Sequence, residues 1–274
     1  MGNDILKINI EMIITKLQGG LANQIFQWAY GRHLSNKYNV DLYADLNFYS
    51  QNILGITKRT YSLSKFPKIN FQLFNQSNLS NSRIFQKIND NFQFNELIYD
   101  NNYNYYLDGY WQSEKFFYES ADLIRGELTP SDEILKKLNL TPFIDTNVVS
   151  LHVRRTDYVT SNSFHTVQSI EYYKKALDII GEYDYIFVFS DDIQWCKDNL
   201  TFNNMIFMEG FDDVEDIWLM SMCKNNIIAN SSFSWWGAWL NSNPNKKVIA
   251  PNNWFGKNVN INSGNIVPDE WIKL

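Results

Sequence analysis

Between residues 148 and 250 short apolar segments alternate with amphipathic ones, and that alternation constrains the fold more than any other feature. Val148–Val153, Tyr185–Phe189, Met205–Met208, Ile227–Ala229 and Val248–Ala250 read as strands. Ile170–Ile180, Ile193–Leu200, Val214–Cys223 and Phe233–Leu240 read as the helices between them, and Gly181 ends the first. Strands that alternate with helices imply right-handed βαβ units around a parallel sheet. The start of the chain repeats the pattern once: a strand over Ile10–Leu17, a Gly19-Gly20 turn, a helix from about Asn23 to Tyr38, and a strand over Val40–Ala44. Residues 47–104 are rich in Asn, Gln, Phe and Tyr without a clear period, and read as loops and short helices. Ser113–Leu138 reads as helical with a break at Pro130, and Pro142 among polar residues marks a domain boundary. The expected domains are 1–145 and 146–274.

In open parallel sheets, ligands sit beyond the carboxyl ends of the strands. The unusual polar clusters of this chain fall there. Gly19-Gly20 follow the first strand, His152–Asp157 another, Ser190-Asp191-Asp192 a third and Asn230-Ser231-Ser232 a fourth. Two glycines let a backbone approach a ligand, and the helix start behind them offers N–H donors and a positive dipole end. Asn23 suits either a helix cap or an amide aimed at a phosphate. Strand alternation puts His152 and Arg154 on one face and Arg155 on the other. Arg154 at a strand end suits phosphate binding, whereas Arg155 with Asp157 reads as a local ion pair. Of Asp191 and Asp192, one fits an N-cap and the other fits a base edge or a ribose. Ser231, Ser232 and Ser234 stand at a helix start; Trp235, Trp236 and Trp239 read as core. Asp212, Asp213, Glu215 and Asp216 form an acidic first helical turn.

Composition narrows the function. A net charge of −6 argues against a general nucleic-acid binder. Cys196 and Cys223 lack metal-ligand or CxxC spacing, and no Asp-x-Asp triplet is present, so no metal is expected. Without a long apolar run, the expectation is a cytoplasmic chain with no transmembrane segment. The 9 Trp, 16 Tyr and 19 Phe leave aromatic faces for sugar rings, although core packing is the ordinary role of each.

Gly-Gly-Leu-Ala-Asn-Gln-Ile-Phe-Gln (19–27), His-Val-Arg-Arg-Thr-Asp-Tyr-Val (152–159) and Asn-Ser-Ser-Phe-Ser-Trp-Trp-Gly-Ala-Trp-Leu (230–240) together resemble the signatures of bacterial α-1,2-fucosyltransferases, glycosyltransferase family 11. The HxRRxD element alone is shared with α-1,6- and protein O-fucosyltransferases. The resemblance implies a GT-B-like α/β fold of two facing Rossmann-like domains, with acceptor on the first and GDP-fucose on the second. It implies that Arg154 grips the donor diphosphate with His152 nearby, that Asp191 or Asp192 reads the guanine, that Ser231, Ser232 and Phe233 line the nucleotide site, and that Asn23 reaches the donor across the cleft. The implied reaction is inverting, metal-independent transfer of L-fucose from GDP-β-L-fucose to the 2-hydroxyl of a galactose. The acceptor glycan would be an O-antigen or other surface-glycan intermediate, which allows peripheral association with membrane-bound glycan. Asp157 is the candidate base by its proximity to Arg154, the alternative being that it orients that arginine. Ala22 stands where the family often has glycine, and Gly237 where alanine is usual. A transferase of another linkage and a glycan-binding protein without catalysis are the competing readings.

Overall fold

The computed structural model describes residues 11–51, 58–75, 84–90, 92–138, 143, 145–160, 164–256, 259 and 261–274, the side chains of Ile84, Asp157 and Thr160 excepted. The chain divides into two compact units, Met1–Thr129 and Pro130–Leu274. The division falls earlier than the expected 145/146 because a short helix after Pro130 packs on the second unit. Its Lys137 reaches Glu215 at 2.7 and 2.8 Å, and Leu138 is buried with Val148, Phe187 and Leu219.

The first unit contains β1 (Met12–Lys16), α1 (Leu21–Tyr38), β2 (Asp41–Asp45), α2 (Asn47–Ser50), β3 (Gln72–Leu73), β4 (Ile84–Asn89), β5 (Tyr103–Asp108) and α3 (Ala121–Glu127). The strands form a parallel sheet in the order β3-β2-β1-β5-β4. Strand β1 is central and its apolar Met12, Ile13 and Ile14 are buried, as a strand covered on both faces requires. Helix α1 lies close to that sheet at Gly31, where an added Cβ would come within 2.9 Å of Leu42. It ends at Asn39, whose left-handed φ of 53° lets its N–H bond back to Ser35. Strands β3 and β4 and the first residues of β5 lie in the stretch expected to hold loops and short helices. The stretch expected to be helical from Ser113 starts instead with 3-10 turns at Glu114–Phe116 and Tyr118–Ser120.

The second unit contains α4 (Asp132–Lys137), β6 (Val148–Val153), α5 (Thr156–Thr160), α6 (Ile170–Ile180), β7 (Tyr185–Ser190), α7 (Ile193–Asn199), β8 (Met205–Phe207), α8 (Asp213–Met222), β9 (Asn225–Ile227), α9 (Ser232–Leu240), β10 (Val248–Ala250) and β11 (Ile272–Lys273). Strand β9 lies two residues before its expected position, and β11 lies beyond the last strand expected. All pairings are parallel, in the order β8-β7-β6-β9-β10-β11. This is the doubly wound order 3-2-1-4-5-6, whose direction of winding reverses between β6 and β9. Two parallel α/β sheets agree with the GT-B-like fold class.

One face of the second sheet packs Val149, Leu151 and Val153 on Tyr173, Ala176 and Leu177 of α6. The other packs Phe187 and Phe189 on Leu219 and Met220 of α8. Each such buried side chain contributes about 1.5–3 kcal/mol of transfer free energy. The tryptophans of α9 are core, as read: Trp235 and Trp236 are fully buried with ring centroids 5.0 Å apart. Gly237 lies against α8, and a Cβ there would meet Met220 Cβ at 2.6 Å. The departure from alanine therefore goes with a bulky Met220 facing it.

Candidate active site

The switch point of the second sheet lies between the carboxyl ends of β6 and β9. Arg154 follows β6 directly, and its Nε is 3.4 Å from Asp191 Oδ2. Asp191 follows β7, the neighbour of β6, so parallel pairing of those strands delivers the carboxylate to the arginine. Asp191 also accepts from the backbone N–H of Arg155 at 2.9 Å, from that of Thr156 at 3.1 Å and from the Thr156 hydroxyl. It thus caps the start of α5, satisfying N–H groups that the helix leaves unpaired.

Asp192 caps a different helix: its Oδ1 accepts from Trp195 N at 3.2 Å at the start of α7. Its Oδ2 accepts from Arg155 Nε at 3.4 Å, and the Arg155 guanidinium lies 3.8 Å from the centre of the Trp195 ring. Arg155 is therefore paired with Asp192. The side chain of Asp157, its expected partner and the candidate base, lies outside the described residues. Asp192 is the more open carboxylate, 36% exposed at the side chain against 18% for Asp191.

His152 is 3% exposed and is buried between β6 and α9. Its Nδ1 is 2.8 Å from Ser234 Oγ, and its ring lies 5.7 Å from that of Phe233. Burial strips hydration from an imidazolium and the nearby Arg154 charge opposes it further, pushing the His152 pKa down to about 3. His152 is thus a neutral ring linking β6 to α9. Ser231 caps α9 by accepting from Phe233 N at 3.3 Å and is itself buried, while Ser232 and Phe233 are half-buried in the first turn. Hence β6, β7 and α9 bring together Arg154, Asp191, His152 and Phe233, while Asp192 belongs to the Arg155 pair.

The acidic turn of α8 is structural as well. Asp212 and Glu215 form a reciprocal capping box, and Glu215 pairs with Lys137. Burial, with Asp212, Glu215 and Asp213 close by, raises Asp216 to about 7. Among the described residues, no group of three or more His, Cys, Asp or Glu is arranged to hold a metal ion.

In the first unit the switch point lies between β1 and β5. Gly19 takes φ 80°, and α1 starts at Gly20 with no side-chain cap. Asn23 Oδ1 accepts from Gln112 Nε2 at 2.9 Å, joining the two lips. Ala22 is inside the helix with ordinary φ, so a glycine is not required there. The turn is shaped by residues to which no role was attached. Gln24 Nε2 donates to Gly19 O and Thr60 O at 3.1 and 2.9 Å, its Oε1 accepts from Ser62 N at 2.9 Å, and Gln27 Oε1 accepts from Gln18 N at 2.8 Å. Their i, i+3 spacing on a buried helix face was the available signal. Tyr158, four residues beyond Arg154, was also missed: its ring lies 5.6 Å from the Arg154 guanidinium.

Two parallel α/β units, the second with its polar groups at a doubly wound switch point, have the GT-B-like architecture of glycosyltransferases. The chain belongs to glycosyl transferase family 11, whose sequence model matches residues 4–274. It is 32% identical to an α-1,2-colitosyltransferase of Escherichia coli over 97% of this chain and 99% of that one. It is 30% identical to the O-antigen biosynthesis glycosyltransferase WbnK of Escherichia coli, over 94% and 99%. The α-1,6-fucosyltransferase NodZ, soaked with GDP-fucose, superposes with a TM-score of 0.49 at 12% identity, covering 85% of this chain and 93% of NodZ. Among the described residues no helix is long and apolar enough to cross a membrane.

Proposed function

We propose that this chain transfers L-fucose from GDP-β-L-fucose to the 2-hydroxyl of a galactose residue in an O-antigen or related surface glycan, with inversion. The second unit holds the nucleotide and the first the acceptor. The observation that carries the reading is Arg154 at the carboxyl end of β6, the strand paired with the β9 that leads into α9 at the switch point. The acceptor oxygen attacks the anomeric carbon as the bond to GDP breaks, through an oxocarbenium-like transition state. Negative charge grows on the β-phosphate at that moment, and a preorganised guanidinium stabilises it. The hydroxyl proton passes to a carboxylate, for which Asp157 is the candidate. Capped by the chain's own donors, Asp191 orients Arg154, and the more open Asp192 is the better candidate to read the guanine. His152 supports the site from below, with Ser231, Ser232 and Phe233 at the nucleotide and Asn23 reaching the donor.

One relative favours a second donor. The similarity to an α-1,2-colitosyltransferase supports transfer of a colitosyl residue as the alternative. Competition between the two donors for one acceptor, followed by linkage analysis, decides between them. Arg154→Ala tests the mechanism: turnover should fall by two orders of magnitude or more, about 3 kcal/mol in the barrier, with circular dichroism unchanged. Near-normal turnover would refute the role of Arg154. GDP binding by calorimetry separates an enzyme from a glycan-binding protein, which would take glycan and ignore nucleotide.

A further inference from the structure

Arg154 is flanked on two sides. Asp191 approaches its Nε, and the ring of Tyr158 lies 5.6 Å from the guanidinium carbon. Tyr158 is 8% exposed, and its ring stacks on His165 at 4.0 Å with an interplanar angle of 4°. Its hydroxyl crosses the switch point and donates to the Asn230 carbonyl at 2.8 Å. Asn230 is fixed in turn: its amide donates to Trp254 O at 2.8 Å and accepts from Gln168 at 3.0 Å. The next residue, Ser231, caps α9. One side chain therefore joins the cation after β6 to the helix start after β9.

We propose that Tyr158 is a positioning residue that fixes the Arg154 guanidinium relative to the start of α9, so that both address the same diphosphate. The inference rests on the reading of Arg154 as the diphosphate-binding cation. A ring face holds a guanidinium by its quadrupole without neutralising its charge, whereas a second carboxylate would compete with the phosphate. The hydroxyl bond keeps the ring from rotating away when the nucleotide leaves.

Calorimetry with GDP and with GMP, which lacks the β-phosphate, tests this on the full chain. Tyr158→Leu removes the ring and should weaken GDP binding about tenfold, while Tyr158→Phe keeps the ring and loses the anchor, for a loss of about threefold. GMP affinity should stay within about twofold of the unaltered protein in both, since the β-phosphate contact is absent from it. Combined with Arg154→Ala, Tyr158→Leu should add no further loss, because its effect passes through the arginine. Equal losses for GDP and GMP would mean a merely structural role, and unchanged GDP affinity or additive losses would also overturn the proposal. Should Tyr158→Leu fail to fold, the Phe variant carries the comparison. Arg154→Ala alone reports on the parent reading: if it binds GDP normally, that reading falls first and this one with it. If it binds GDP poorly while the Tyr158 variants bind normally, only the present inference fails.

Discussion

At the end of β1 the turn into α1 is shaped by uncharged amides: Gln24 clamps Gly19, Thr60 and Ser62, Gln27 holds Gln18, and Gln112 holds Asn23. At the end of β6 the corresponding turn is shaped by charge, with Arg154 on Asp191 and Arg155 on Asp192. The two units share parallel topology, and the first switch point also carries a Lys16–Asp108 pair at its strand ends, yet its turn is shaped by neutral amides and the turn after β6 by charge. Amides set backbone shape and are indifferent to salt and pH. Charged pairs set a field, and a field is what a departing nucleotide diphosphate responds to.

The contrast can be broken by substitution. Gln24→Leu removes three hydrogen bonds and strands buried backbone groups, so it should lower stability by about 3 kcal/mol in urea unfolding. GDP affinity should fall far less than in Arg154→Ala, through Asn23 alone; an equal loss would put donor binding as much on the first turn as on the second. Acid comes next. His152 is neutral in the folded protein with a pKa near 3, but has the ordinary value of 6.5 once unfolded. Its contribution is therefore complete above about pH 6.5 and is lost progressively as the pH falls towards about 3, roughly 2 kcal/mol by pH 5. His152→Asn should flatten that decline. His33 is lowered by burial too and hydrogen-bonds Ser120 at 2.9 Å, and His33→Asn should flatten it less. A reversed ranking would locate the acid sensitivity in the first unit. Asp216 acts in the opposite pH direction, since burial raises it to about 7. Its ionised form burdens the fold above the unfolded value of 3.8, fully so above about pH 7. Asp216→Asn should lift that burden, about 4 kcal/mol, raising Tm by about 10 °C at pH 8 and giving no gain near pH 4.

The second unit was largely legible in sequence because its strands are continuous apolar runs and its helices amphipathic, as in Tyr185–Ser190 and Ile170–Ile180. The polar clusters at strand ends led to Arg154 and Asp191, which the fold brings together. Residues 72–108 were not legible. Strands β3 and β4 lie at an edge, with Gln72, Leu73, Phe85 and Gln86 exposed or half-buried, so neither alternation nor a buried run marks them. Helix α1 blurs its own period by burying Gln24 and Gln27 among Ile25, Phe26 and Trp28. The burial of His152 was not legible, because strand alternation gives a face but not the α9 helix packed against it. The capping roles of Asp191 and Asp192 were half visible: a strand-to-helix junction suggests one cap, whereas Asp191 caps a helix some 35 positions earlier.

The winding order has a consequence for how the second unit is made. Strand β6 has β7 on one flank soon after it is synthesised, but its other flank waits for β9, with four helices and two strands in between. Such long-range closure slows folding and leaves sticky intermediates. Until it happens, β6 offers an open edge beside the Tyr-Ile-Phe-Val-Phe run of β7. Slow, cool expression and early chaperone supply should therefore raise the soluble yield of this chain more than any change to its surface.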